Sequence, residues 1–157
     1  MVIVSGGQTG VDRAAWDVAI EFGLPTGGWV PKGRRAEDGA IPERYAGLRE
    51  AESRDPAVRT VLNVRDSDAT LIFSHGPLTG GSRLTFETAA RLSRPVLHVD
   101  LSNTTDAEAV TEVRAWLLAV RPEILNVAGP RASGDASAGE RAAAVLRQLL
   151  RRGRSAG

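Results

Sequence analysis

The stretch Val2-Ile3-Val4-Ser5-Gly6-Gly7-Gln8-Thr9-Gly10-Val11-Asp12-Arg13 decides the fold. Val2–Ser5 is short, apolar and β-branched, and it runs straight into glycines. That pattern predicts a strand buried on both faces, as in a parallel sheet. Beyond the glycines the apolar residues fall at helical spacing, at Val11, Ala14, Ala15, Val18, Ala19 and Phe22, and Gly23 stops the run as a C-terminal cap. Strand, glycine turn and helix in this order make the first half of a βαβ unit.

Outward from this unit the alternation repeats. Gly28–Val30 predicts a short second strand, Pro31–Pro42 a loop rich in charge and glycine, and Ala57–Arg65 a helix. Ala69–Ser74 (ATLIFS) predicts the central strand, and Gly80–Leu92 a loop turning into a helix. Pro95–Val99 predicts a strand, Asp106–Val120 an amphipathic helix capped by Thr105 or Asp106, Ile124–Val127 a last strand, and Ala138–Arg152 a C-terminal helix. Strands alternating with helices predict an α/β, Rossmann-like fold, a mostly parallel sheet with helices on both faces. Right-handed crossovers then gather the strand C-termini at one edge, and ligands of such sheets sit there, where the strand order reverses. No repeat or linker interrupts the pattern. Residues 1–152 are expected to form one ligand-binding domain, and residues 153–157 a flexible tail.

Composition narrows the function. At 157 residues, with 42% hydrophobic and 25% charged residues, the chain is long enough for a three-layer core and too apolar to be disordered. A net charge of +1 supplies no overall field to recruit nucleic acid or a membrane. No apolar run reaches membrane-spanning length, and the apolar N-terminal run is too short for a signal peptide. The absence of cysteine excludes disulfides and thiolate metal sites and fits a reducing compartment, so a cytoplasmic location is expected. His75 and His98 are the only histidines, and no structural metal is expected. Lys32 is the only lysine among 20 Lys and Arg, and the rest are arginine, the better planar partner for phosphate.

Four segments carry candidate chemistry. In the first turn Gly6, Gly7 and Gly10 allow close backbone approach, Gln8 and Thr9 offer hydrogen bonds, and the helix that follows presents unpaired N–H groups to an anion. The spacing is not that of the dinucleotide fingerprint, which disfavours NAD. The loop after the second strand gathers Lys32, Arg34 and Arg35, either as a phosphate or carboxylate site or as a solvated charge run. After the central strand, Gly80, Gly81 and Ser82 should present backbone and hydroxyl donors to a phosphate at a helix start, with Arg83 and Thr85 beside them. Glu87, about one and a half turns into that helix, is placed to reach a ribose hydroxyl or act as a general base. The last strand ends in a fourth small-residue loop in which Asn126, Arg131 and Ser133 are candidates for the same edge. Trp16, Trp29 and Trp116 are expected to pack, and His98 to be a satisfied core residue.

Together these blocks resemble the molybdenum cofactor carrier proteins, through SGGQTGVDRAAWDVAI (5–20), GGWVPKGRRAEDGAIPERY (27–45), RTVLNVRDSDATLIF (59–73), GPLTGGSRLTFETA (76–89) and ILNVAGPRAS (124–133). The resemblance implies a Rossmann-like fold, a homo-oligomer (dimer or tetramer), and binding of molybdopterin, a pterin carrying phosphate and molybdenum. A nucleoside phosphate is the other ligand considered.

More widely, the chain resembles the Lonely Guy-type phosphoribohydrolases, once described as lysine decarboxylases. Their motif GGxGTxxE corresponds to GGSRLTFE (80–87), which keeps the paired glycines and puts Glu87 at the glutamate position. Arg59 stands eight residues before Ser67-Asp68-Ala69, as their essential arginine does. Arg83 replaces the third glycine, and the threonine is shifted by one to Thr85. This likeness implies cleavage of the N-glycosidic bond of a nucleoside 5′-monophosphate, with Arg59 holding ribose and phosphate and Glu87 activating water. The crowding side chain of Arg83 favours the carrier over the hydrolase. A third likeness, of SGGQTGVD to a turn in DNA-processing proteins, would imply single-stranded DNA binding. With 4% aromatic residues the chain lacks a stacking series, and nucleic acid ranks last.

Overall fold

The computed structural model describes residues 1–155, with side chains through Arg151. In chain order the elements are β1 (Val2–Val4), α1 (Val11–Glu21), β2 (Thr26–Val30), β3 (Arg35–Ala36), β4 (Gly39–Ala40), β5 (Leu48–Glu50), α2 (Pro56–Arg65), β6 (Ala69–Ser74), α3 (Gly80–Arg91), β7 (Val96–Asp100), α4 (Asp106–Val120), β8 (Ile124–Ala128) and α5 (Ala138–Ser155). Helix α5 thus runs three residues into the segment expected as a tail, and residues 156–157 lie outside the described residues.

Six strands form one sheet, all neighbours parallel, in the order β5-β2-β1-β8-β6-β7. From β1 the chain winds outward through β2 to β5. Helix α2 then crosses to β6, the winding reverses toward β7, and α4 brings the chain back to lay β8 between β1 and β6. Ile3 pairs with Leu125 on one side of β8, and Leu71 with Val127 on the other. The order therefore reverses around β1, β8 and β6, and the C-terminal ends of these three strands define the switch point. All six residues of β6 are buried, the physical reason its sequence is a continuous apolar run rather than an alternating one.

Helices α1, α4 and α5 pack together on one face, and α2 and α3 on the other. Trp16 of α1 is fully buried as expected, donates from Nε1 to the Gly27 carbonyl at 3.1 Å, and lies 4.8 Å from the Tyr45 ring. Trp29 is only half-buried. Its Nε1 donates to Asp66 at 2.8 Å and the Arg49 guanidinium lies over its ring. His98, on β7, is held by Ser74 Oγ at 2.6 Å.

Two elements differ from the sequence expectation. Within the 31–42 segment, β3 and β4 form an antiparallel hairpin turning at Glu37-Asp38, and Gly39, which pairs with Ala36 just after the turn, has a φ of 112° that suits glycine. Strand β5 adds to the sheet edge beside β2, with Leu48–Glu50 too short and polar to show a period. Ile41 and Tyr45 anchor this excursion in the core. Among the described residues no helix is long and apolar enough to cross a membrane.

Candidate ligand cleft

A cleft of about 600 Å³ opens at the C-terminal ends of β1, β8 and β6, the switch point of the sheet. Local sequence builds each wall. On the β6 side, Thr79 is extended at the N-cap of α3, but its hydroxyl does not cap the helix. The first N–H with an intrahelical acceptor is that of Arg83, to the Thr79 carbonyl at 3.2 Å. The N–H groups of Gly80, Gly81 and Ser82 precede it and have no intrahelical partner, so they and the helix dipole favour an anion here. The Thr85 hydroxyl, buried at the cleft, donates to the Gly81 carbonyl at 2.8 Å and steadies this turn.

Helix α2 supplies the facing wall. Asp55 caps it by accepting from the Ala57 N–H at 2.9 Å, with Pro56 at the first helical position. One turn on, the Arg59 guanidinium lies flat over Gly6, where a Cβ would come within 2.3 Å of Nη1. Glycine at position 6 is thus the room for this arginine. Arg59 Nη1 donates to Thr60 Oγ1 at 3.3 Å, while Nε is buried with no hydrogen-bond partner.

The floor contains a buried acid, Asp12, in the first turn of α1. It is 4% exposed and lines the cleft. Burial pushes its carboxyl up to about 6, against the opposing pull of the Arg59 charge and of the Gln8 and Gly6 backbone N–H groups. Asp12 Oδ2 accepts from the Gln8 N–H at 3.2 Å, and no direct ion pair joins Asp12 to Arg59. On the remaining wall, His75 Nδ1 meets Asp135 Oδ2 at 2.5 Å, and Arg141 Nη1 approaches Nε2 at 3.3 Å. Arginine can only donate, so Nε2 is the acceptor and Nδ1 carries the proton. Burial acts to raise the Asp135 carboxyl, but the hydrogen bonds from His75 and Ser137 prevail and hold it below the usual range.

The β3–β4 hairpin closes over the first turn through its acids. Glu37 accepts from Thr9 Oγ1, from the Ser133 N–H at 3.1 Å and from Ser133 Oγ at 2.5 Å, and those hydrogen bonds hold its carboxyl low, the Ser133 hydroxyl foremost. Asp38 forms a two-pronged pair with Arg13 at 2.5 and 2.7 Å. Gln8 Oε1 accepts from the N–H groups of Thr9 and Glu37 at 3.1 and 2.9 Å, which leaves the Gln8 amino group for other partners.

The structure brings together part of the expected set. Gln8, Arg59, Gly80, Gly81, Ser82 and Thr85 line the cleft, and so does Arg131. Gly6 sits beneath Arg59, while Gly7 (φ 79°) and Gly10 (φ 83°) shape the turn. Thr9 is consumed in the Glu37 network. Lys32, Arg34 and Arg35 are not brought into the cleft. Lys32 and Arg35 face solvent, and Arg34 donates to the Ile41 and Pro42 carbonyls. Arg83 and Glu87 are exposed and paired with each other at 2.8 Å one turn apart on α3, away from the cleft. Asn126 is buried against Thr70, and Ser133 is tied to Glu37.

Sequence reasoning placed α2 to within one residue but missed Asp12, and did not name Asp55 and Pro56 at the start of α2 as lining the cleft. An acid in a first helical turn reads as ordinary dipole compensation, and only its burial marks it out. The Asp55-Pro56 pair was a usable signal, since it announces a helix start and therefore the place where Arg59 emerges.

No curated protein matches the chain. Among solved structures it is similar to the crystal structure of a "Putative molybdenum carrier protein" from Syntrophus aciditrophicus SB, at 47% identity over 95% of this chain and 94% of that one, with a TM-score of 0.93. That likeness agrees with the resemblance read from the sequence blocks and with the Rossmann-like α/β architecture. Residues 3–150 match the family described as circularly permutated YpsA SLOG. The chain belongs to the circularly permutated YpsA SLOG family.

Proposed function

We propose that this protein is a molybdenum cofactor carrier and that its cleft holds a phosphate-bearing pterin or nucleotide-like ligand at the C-terminal edge of the sheet. The observation that carries the reading is the uncapped start of α3, with three successive unpaired N–H groups facing Arg59 across the cleft. That is a phosphate site with a counter-charge opposite it. The solved relative's name supplies the molybdenum. Among the described residues no group of three or more His, Cys, Asp or Glu stands close enough to hold a metal ion, so the proposal leaves the metal to the cargo's own donors. Residues 1–152 act as one ligand-binding unit, working in the cytoplasm. Cleavage of a nucleoside 5′-monophosphate loses support from Glu87, which is exposed, paired with Arg83 and outside the cleft lining.

A substitution tests the phosphate cradle. A Cβ at Gly81 meets nothing within 4 Å, so Gly81→Asp leaves the fold intact. Its carboxylate then competes for the helix N-terminus. Ribose 5-phosphate affinity, measured by calorimetry, should fall on the order of tenfold or more while Tm is held or slightly raised. Unchanged affinity overturns the cradle. Incubating wild type with nucleoside monophosphates should release no free base, and free base in excess of protein would overturn the carrier reading.

The carrier is further proposed to be a dimer or tetramer, a closed symmetric assembly. Light scattering should give a multiple of 16.6 kDa at micromolar concentration, and a clean monomer there would sink the idea.

A further inference from the structure

The cleft floor carries a donor and an acceptor that the protein itself leaves partly unspent. Arg59 donates to one neighbour only, Thr60, and its buried Nε has no partner. Asp12 accepts backbone N–H bonds yet is not paired with Arg59, although the charge of Arg59 acts on it. A carboxylate has about four acceptor sites and a guanidinium five donors, so both have capacity left. Keeping a carboxylate buried beside a cation without letting the two join costs stability. Such an arrangement persists where a third group completes it.

We propose that Asp12 and Arg59, both beside Gly6, read a lactam edge of the ligand's ring: Asp12 accepts the ring N–H and Arg59 donates to the adjacent carbonyl. The inference rests on the phosphate-bearing ligand proposed above and names its ring chemistry. Guanine, hypoxanthine and a 4-oxo pterin all present N–H beside C=O. Adenine presents the reverse, a bare ring nitrogen beside an amino group. In the same pose adenine would set a lone pair against the carboxylate and N–H against the guanidinium, leaving buried polar groups unmatched. Sites built to hydrogen-bond a particular edge discriminate strongly against its mismatch.

Gln8 fits the same scheme. Its Oε1 is held by two backbone N–H groups, which fixes the carboxamide and leaves its amino group as a further donor at the cleft. The raised pKa of Asp12 adds a pH dependence, since a protonated carboxyl cannot accept the ring N–H at that oxygen.

The test compares guanosine, inosine and adenosine 5′-monophosphates by calorimetry at about pH 7.5, with ribose 5-phosphate as the ring-free control. Wild type should bind the two lactam nucleotides at least about tenfold more tightly than the adenine nucleotide. Asp12→Asn keeps an oxygen for the Gln8 N–H and should abolish that preference, while ribose 5-phosphate binds at least as tightly as in wild type, because a negative charge has left the cleft floor. Gly6→Ala is a second variant, because its Cβ displaces only the end of the Arg59 side chain. With Asp12 untouched, it should lower lactam affinity by more than it lowers ribose 5-phosphate affinity, since Arg59 also serves the phosphate side of the cleft. Equal wild-type affinity for all three nucleotides overturns the inference. So does an Asp12→Asn protein that weakens nucleotides and ribose 5-phosphate alike, which marks a merely structural role. Should ribose 5-phosphate not bind wild type, the phosphate cradle fails by itself. Guanosine against adenosine, free of phosphate, then decides the ring preference: tighter guanosine binding upholds it, and equal binding ends it.

Discussion

Gly10→Ala is expected to cost about 3 kcal/mol of stability or more, the largest single effect in the turn around β1. Gly10 has φ 83° and ψ −131°, a region that L side chains avoid. A Cβ there would lie 2.4 Å from the Pro130 carbonyl oxygen and 2.9 Å from the Ala132 nitrogen, both backbone atoms. The two loops meet at this point, where the Val11 N–H donates to the Pro130 carbonyl at 3.4 Å and the Ala132 N–H to Thr9 Oγ1 at 3.1 Å. Relief requires the β8 loop to move off the β1 turn, which removes one wall of the cleft. A thermal melt should show Tm lower by about 10 °C, and ribose 5-phosphate affinity should fall with it. A Tm within about two degrees of wild type would contradict the contact.

Asp12→Asn should do the opposite to stability, and only at neutral pH. The Asp12 carboxyl is pushed up to about 6 from an ordinary value of 3.8, so the native state binds this proton more tightly than the unfolded chain does. Wild-type stability is therefore greatest below about pH 4 on this account, falls as pH rises toward 6, and is flat above that. The amide has no proton to lose and shows no such decline. The gap between the two proteins should open from near zero at pH 4 to about 2–3 kcal/mol at pH 7.5. Urea unfolding at the two pH values checks it. A variant no more stable than wild type at pH 7.5, or one with the same advantage at pH 4, rejects the account. A residue whose removal stabilises the fold while erasing ring preference is held for binding rather than for folding.

The parallel sheet was legible because strands buried on both faces must be continuously apolar. VIV, ATLIFS and ILNVA leave little choice. Strand β5 and the β3–β4 hairpin were hidden for the reciprocal reason. They lie at or beyond the sheet edge, so LRE and the charged 35–40 segment carry no periodic mark. The site was half legible. Glycines announced the turns, because positive φ and close approach are properties of the backbone that sequence records. Direction was not recorded. The cations Lys32 and Arg35 drew attention to a loop whose working residues are the acids Glu37 and Asp38. The i,i+4 spacing of Arg83 and Glu87 now reads as a surface ion pair, which the helical period itself could have suggested. Asp12 escaped because burial of a charge is decided by neighbours distant in sequence, here Arg59 and the turn it covers.

The position of β8 has a consequence for how the molecule is made. Ile124–Ala128 is the last strand of this sheet to leave the ribosome, yet it fills the middle of it. Until it emerges, β1 and β6 each present a raw inner edge, and the nascent chain holds two half-sheets with nothing to join them. Such edges are the templates on which strands of other chains add. The interval between synthesis of β6 and of β8 is thus the window in which this protein most needs protection from its neighbours. A chain truncated before Ile124 should gather in the insoluble fraction rather than persist as a smaller soluble domain.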